Sequence, residues 1–409
     1  MTARLYGAGF GDGTVRGWAL TETLTLDEVL WAGGLEEPIN LGPVGATELD
    51  EVDGAWAIAE TDSEFLVVSG KLAQAVVVLE STAGPLSPVS VRTQGELVEG
   101  QGDAVGLVPA TGLERAGPVA SSDPWVYVGG TDGLGLWNFG PSGLELARVD
   151  ERLSGADALL VRRTDVELGT VQVFVVRCRG QSVDAPCLEP TDPAELILAR
   201  HGREALPQPV ERFSYDPTAT DGRQGFLGDG QLALTTASDG RSLLLAGFEG
   251  SASVVGFLES EDGTFTSTGS FRIVAPWQDP AALPAFDGSA AETSTAAPLR
   301  TGQMAISGGR VFVAVRSGGF LAHFPLRCLG QPPTVEGCLE VVCLDAVGGC
   351  AGPSAASASP VYPYAVEVGG GFVFVGVDAL DEAGFVTTRI AILAVDPAGG
   401  VSLMGFVDA

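Results

Sequence analysis

Lysine is almost missing from this 409-residue chain: among 22 basic residues, Lys71 is the only one that is not arginine. Asparagine occurs twice, at Asn40 and Asn138, and isoleucine is scarce. Joint depletion of Lys, Asn and Ile is what a GC-rich coding sequence produces. Salt adaptation would instead raise the acid content, and charged residues make up only 18%, below the ~25% usual for globular proteins. The shortage of cations against 52 acids leaves a net charge of −30. A surface of that sign repels phosphate backbones and anionic headgroups, and it lacks clustered Lys and Arg. Nucleic acid is therefore excluded as a partner. Protein, cationic peptide and neutral glycan partners stay open.

Long apolar runs are missing too. No stretch of about 20 residues suits a membrane-spanning helix, and the N-terminal Met1–Tyr6 carries no apolar segment of a signal peptide. Cys-x-x-Cys-His, His-Glu-x-x-His and the strand–serine–helix elbow are all absent. Only two histidines are available for acid–base work. His323 lies inside an apolar run and is expected to be buried; His201, between Arg200 and Gly202, is expected to face solvent. Two acid clusters stand out: Glu48, Asp50, Glu51 and Asp53, then Glu259, Glu261 and Asp262. Neither has the alternate-position ligands and closing Glu of a calcium loop, so both read as solvated turn acids. No catalytic or metal-binding residue and no cofactor is assigned, with a divalent cation such as calcium the one addition left open.

What the chain has in abundance is turn formers, 57 Gly and 25 Pro spread along its length. Between them lie short runs rich in Val, Phe and Leu, the signature of strands. Eight Asp-Gly dipeptides begin at Asp12, Asp53, Asp132, Asp221, Asp229, Asp239, Asp262 and Asp287. Asp-Gly supplies the positive-φ residue of a tight turn, and turns are their expected role.

The runs repeat. A very apolar strand recurs at Phe65–Val68, Trp125–Val128, Val173–Val176, Leu243–Leu245, Val311–Val313 and Phe372–Val375, with a weaker copy at Leu5–Tyr6. A second apolar strand follows at Val76–Val78, Leu134–Trp137, Leu196–Leu198, Val254–Val255, Leu321–Phe324 and Ile390–Leu393. Strand units repeating in this way predict an all-β fold, a β-propeller of about seven four-stranded blades. A large β-sandwich is the alternative. The expected organisation is a single domain over residues 1–409, with residues 277–300 and 351–360 as long surface loops. The first unit lacks an innermost strand, which Val401–Met404 is expected to supply.

Ala237-Ser238-Asp239-Gly240-Arg241-Ser242-Leu243-Leu244-Leu245 resembles the strand–turn phrase of TolB-like and lactonase-like bacterial propellers. Trp125-Val126-Tyr127-Val128-Gly129-Gly130, followed by Trp137, is similar to a kelch blade. Each resemblance covers one blade and implies the fold. The lactonase catalytic set does not carry over, because almost no Asn is present, and the aspartate box of sialidases is missing.

Six cysteines remain. Arg177-Cys178-Arg179-Gly180-Gln181 leads to Cys187-Leu188-Glu189, and Arg327-Cys328-Leu329-Gly330-Gln331 leads to Cys338-Leu339-Glu340. Two copies of one bordered loop predict local disulfides, Cys178 with Cys187 and Cys328 with Cys338. Cys343 and Cys350 form the third pair across Gly348-Gly349. A zinc site from Cys328, Cys338, Cys343 and Cys350 is disfavoured by spacing. Disulfides persist in oxidising compartments, so the chain is expected to be secreted, periplasmic or at the cell surface, its export segment removed. The function expected is a non-enzymatic binding or scaffold propeller of a bacterial surface or envelope assembly. The alternative is a hydrolase or lyase using carboxylates at the mouth of a central channel.

Overall fold

A computed structural model describes residues 117–130, 133–140, 143–165, 170–178, 192–202, 207–278, 299–344, 350, 361–380, 386–396 and 398–408; before residue 117 it describes the strands between 4 and 97. Among these residues there is no α-helix, only strands and short 3-10 turns. The strands form seven antiparallel sheets in chain order. Sheet 1 holds Arg4–Ala8, Thr14–Leu20, Leu26–Glu28 and Ile39–Asn40, the last two both pairing Thr14–Leu20. Sheet 2 runs Ala55–Glu60, Phe65–Gly70, Ala75–Glu80, Ser87–Thr93 and Glu96–Leu97. Sheet 3 runs Val119–Ser122, Trp125–Gly129, Leu134–Gly140 and Gly143–Asp150, and sheet 4 runs Ala156–Asp165, Thr170–Cys178, Ala194–His201 and Gln208–Ser214. Sheet 5 is Gly230–Thr236, Ser242–Phe248, Ser253–Glu259 and Phe265–Arg272. Sheet 6 is Thr301–Ser307, Arg310–Val315, Phe320–Pro325 and Glu340–Cys343; sheet 7 is Val361–Gly369, Phe372–Leu380, Val386–Val395 and Val401–Asp408. The chain divides into two compact units, Met1–Pro186 with Ile197–Arg212, and Cys187–Leu196 with Phe213–Ala409.

Why the apolar runs do not alternate with polar residues is clear in sheet 6. Val311, Val313 and Val315 enter one buried cluster with Leu243, Leu245 and Phe271 of sheet 5. Phe312 and Ala314, pointing the other way, enter a second cluster with Val373, Val375 and Leu393 of sheet 7. Successive side chains of a strand point to opposite faces, so a strand packed on both faces must be apolar at every position. Sheets 3 and 4 share a cluster built the same way from Tyr127, Leu136, Val173 and Val175.

Turn chemistry follows the dipeptides only in part. Asp239-Gly240 makes the hairpin of the first two strands of sheet 5, with Gly240 at φ +85°. There Asp239 Oδ1 accepts the Arg241 N–H at 3.1 Å, and the two side chains pair. Asp262-Gly263 turns between the last two strands of that sheet, where Asp262 accepts from the Thr264 N–H and hydroxyl. Asp221-Gly222 lies in a connection ahead of a 3-10 turn, and Asp229-Gly230 opens a strand instead of making a hairpin. Asp12, Asp53, Asp132 and Asp287 lie outside the described residues, as do Glu48, Asp50, Glu51, residues 351–360 and most of 277–300.

One expectation is corrected. Val401–Asp408 does not join the first unit; it pairs antiparallel with Val386–Val395 as the last strand of sheet 7. A four-strand meander closed by a short turn outcompetes a pairing with a strand almost four hundred residues away.

Candidate functional site

Two disulfides frame the outer strand of sheet 6. Cys328 ends the 3-10 turn Leu326–Cys328 that follows the third strand, and it bonds Cys338, two residues before the fourth strand begins at Glu340. Cys343 ends that strand and bonds Cys350. The Cα separations, 5.5 and 5.0 Å, are those of ordinary disulfides. Cys178 is also disulfide-bonded, and Cys187 lies outside the described residues. The two bordered copies occupy different places: Cys178 ends the second strand of sheet 4, whereas Cys328 follows the third strand of sheet 6.

The Cys328–Cys338 loop is hydrogen-bonded within itself. Its own N–H groups donate to its carbonyls, Gln331 to Cys328 at 2.9 Å, Val335 to Pro332 at 3.1 Å and Cys338 to Val335 at 3.0 Å. Its base is tied to sheet 5, where the Gly330 N–H donates to the Ser270 carbonyl at 3.1 Å. Glycine is required at this contact: a Cβ on Gly269, at φ +124°, would stand 2.7 Å from the Gly330 Cα. Cys328 and Cys338 are buried, while Gln331, Pro332, Thr334, Val335 and Glu336 are exposed at the tip.

His323, in the third strand of sheet 6, is buried as expected at 1% exposure. In the ladder it faces Phe312 on one side and Glu340 on the other. Arg310 Nη2 donates to His323 Nδ1 at 2.8 Å and to Glu340 Oε1 at 2.8 Å. Nδ1 is therefore the acceptor and the ring proton sits on Nε2, which stands 3.9 Å from Glu340 Oε2. Burial, with the Arg310 charge adding to it and Glu340 opposing, pushes the imidazole down to about 4. The Arg310 guanidinium also passes close to Gly399, where a Cβ would meet it at 3.0 Å.

His201 corrects the sequence reading. It is buried rather than facing solvent. Its Nδ1 donates to the Gly202 carbonyl at 2.8 Å, which leaves Nε2 to accept from the Tyr127 hydroxyl at 2.6 Å. Trp125 packs edge-on against the ring. Burial lowers the imidazole below its ordinary value, opposed by the bond to Gly202. The same burial holds the Tyr127 hydroxyl protonated, with Arg163 acting in the opposite direction. His201 stands at a strand end between Arg200 and Gly202, and the residue that covers it is 74 positions away. Tyr127, Arg310 and Glu340 had no signal in the sequence: only strand register brings them to the histidines. In the second acid cluster, Glu261 and Asp262 are exposed.

No protein-family model matches this chain, and neither does any curated protein. Solved structures do match it. A protein from Lactobacillus plantarum aligns with a TM-score of 0.56 at 12% identity, over 99% of this chain and 96% of that one. The β-propeller domain of Swd1 from Myceliophteria thermophila aligns with a TM-score of 0.50 at 10% identity, over 96% and 94%. This fold is a β-propeller. The seven sheets are its blades. A putative 6-phosphogluconolactonase from Bacteroides fragilis is similar as well, with a TM-score of 0.52 at 12% identity over 99% of this chain and 94% of that one. At such identities the likeness concerns the propeller scaffold alone, which hosts unrelated functions.

Proposed function

We propose that this propeller is an exported, non-enzymatic binding module of a bacterial surface or envelope assembly, and that it recognises its partner through the Cys328–Cys338 loop. The observation that carries the reading is the combination of a stiff base and an exposed tip. The loop is closed by a disulfide, hydrogen-bonded within itself and tied to sheet 5, yet it presents Pro332, Thr334, Val335 and Glu336 to solvent. A loop already held in one conformation loses little entropy on binding, which is the main cost a recognition loop must limit. Both imidazoles are covered and kept neutral by burial, which supports binding over acid–base catalysis. Disulfides support an oxidising compartment. The net charge of −30 favours a neutral or cationic partner. No helix among the described residues is long and apolar enough to cross a membrane.

The test compares the intact protein with the Cys328→Ala/Cys338→Ala variant, labelled and titrated onto envelope material from the source cell. With circular dichroism showing the fold retained, the variant should bind at least about tenfold more weakly, the equivalent of ~1.4 kcal/mol. Equal binding by the two proteins would refute the loop's role.

A further inference from the structure

The outer strands of blades 5 and 7 are built alike. In blade 5 the first three pairs of Phe265–Arg272 end at Ser267 with Phe257; Thr268 is then an extra, bulged residue, and pairing resumes at Gly269 with Gly256. In blade 7 the first three pairs of Val401–Asp408 end at Leu403 with Leu393; Met404 is the bulged residue, and pairing resumes at Gly405 with Ile392. Thr268-Gly269 and Met404-Gly405 are therefore the same place in two blades. In blade 5 that place is covered by the Cys328–Cys338 loop. The Gly330 N–H donates to the carbonyl of Ser270, the residue after the bulge glycine, and a Cβ on Gly269 would stand 2.7 Å from the Gly330 Cα.

Blade 7 has no such cover among the described residues. Met404 is 58% exposed. Beyond its chain neighbours, nothing stands within 4 Å of the point that a Cβ on Gly405 would take. No backbone N–H from outside the sheet reaches the Phe406 carbonyl, the counterpart of Ser270. Nor does the fold call for glycine at this step, since Gly405 does not adopt a positive φ and a side chain there would meet nothing. Glycine inside a strand weakens it, and one use of such a position is the close approach of another backbone. The edge is also unguarded. From Val401 to Val407 no residue is charged and none is proline, the features that protect an exposed edge. The outer strand of blade 4, Gln208–Ser214, has Pro209, Glu211 and Arg212, and that of blade 6 is only four residues long.

We propose that the Met404–Gly405 bulge is a docking seat for a glycine turn of another protein, whose glycine N–H donates to the Phe406 carbonyl as Gly330 donates to Ser270. The covered bulge of blade 5 defines the chemistry of the occupant, and one difference sharpens it. Leu329 Cδ1 lies 3.0 Å from the point a Cβ on Gly256 would take, whereas blade 7 carries the buried Ile392 at that position. A leucine has no room there, so the residue before the docking glycine is small. Met404, unbranched and adaptable, supplies the apolar contact. The seat does not depend on the tip of the Cys328–Cys338 loop, and in a second copy of this chain Gly330 is already engaged by blade 5.

The experiment uses a labelled peptide of residues 327–339, closed by its disulfide and carrying Leu329→Ala, titrated with the full chain and followed by fluorescence anisotropy. It should bind saturably with a Kd of about 1 mM or tighter. The same peptide N-methylated at Gly330 has lost its donor and should bind at least about fivefold more weakly, the effect of one hydrogen bond. Met404→Asp, at an exposed position and with an unfolding midpoint like that of wild type, should weaken binding of the unmethylated peptide by at least about fivefold as well. The proposal is overturned if no saturable binding is seen, if the N-methylated peptide binds equally well, or if Met404→Asp binds as wild type does. A concentration-dependent dimer in sedimentation velocity that Met404→Asp abolishes would assign the seat to a second copy, which equally overturns it.

Discussion

Between pH 7 and pH 4 the unfolded chain takes up a proton at His323 that the folded chain refuses. An ordinary imidazole titrates near 6.5, whereas burial beside Arg310 holds His323 at about 4. The folded pKa is depressed, so the stability this group contributes is present above pH 6.5 and lost as the pH falls toward 4. Below that both states are protonated and the contribution no longer changes. A gap of roughly 2.5 pH units corresponds to about 3 kcal/mol, lost across this window. Guanidinium unfolding at pH 7, 6, 5 and 4, on wild type and His323→Gln, isolates it. Glutamine keeps an acceptor for Arg310 but cannot titrate, so the variant should be weaker at pH 7 and lose less on acidification. His201, also depressed by burial, acts with the same sign and remains in both proteins. With only two histidines in the chain, imidazole resonances are easily followed by NMR. The His323 resonance should stay still from pH 8 to pH 5. A midpoint near 6.5, or equal acid sensitivity in the two proteins, would refute the reasoning.

Tyr127→Phe leaves the buried His201 Nε2 without its donor and should cost about 1–3 kcal/mol in denaturant unfolding; no change would mean the ring finds another partner. Gly269→Ala places a Cβ against the Gly330 backbone at a strained φ, so its midpoint should fall, and so should protection of the Cys328–Cys338 loop in hydrogen exchange. Peptide mapping without reduction should recover Cys178 linked to Cys187 besides the two bonds of blade 6; free thiols, or a metal held by the last four cysteines, would contradict export.

The blades were legible because burial on both faces writes itself as unbroken apolar runs. Val311 to Val315 is such a run, split between two cores that each take alternate residues. The outer strands were harder to place. Val401–Asp408 has mixed exposure along its length, so its membership of blade 7 rests on register that composition does not carry. The histidine sites divide in the same way. His323 sits in an apolar run and announced its burial, whereas His201 stands at a strand end between Arg200 and Gly202 and is covered by Tyr127 from another strand. The cysteine borders pointed to local bonds, but their likeness gave no warning that the two copies occupy different strands of their blades. The bulge shared by the outer strands of blades 5 and 7 depends on knowing which residue each ladder skips, and no spacing rule supplies that.

Val335 at the tip of the Cys328–Cys338 loop offers the most direct measurement, since it is exposed and belongs to neither the disulfide nor a buried cluster. Val335→Asp should leave the unfolding midpoint within experimental scatter, because surface substitutions of this kind usually change stability by less than about 0.5 kcal/mol. Its equilibrium binding to envelope material from the source cell, measured beside wild type, should nevertheless weaken at least about tenfold. Unchanged binding by the folded variant would contradict the claim that this propeller recognises its partner through that loop.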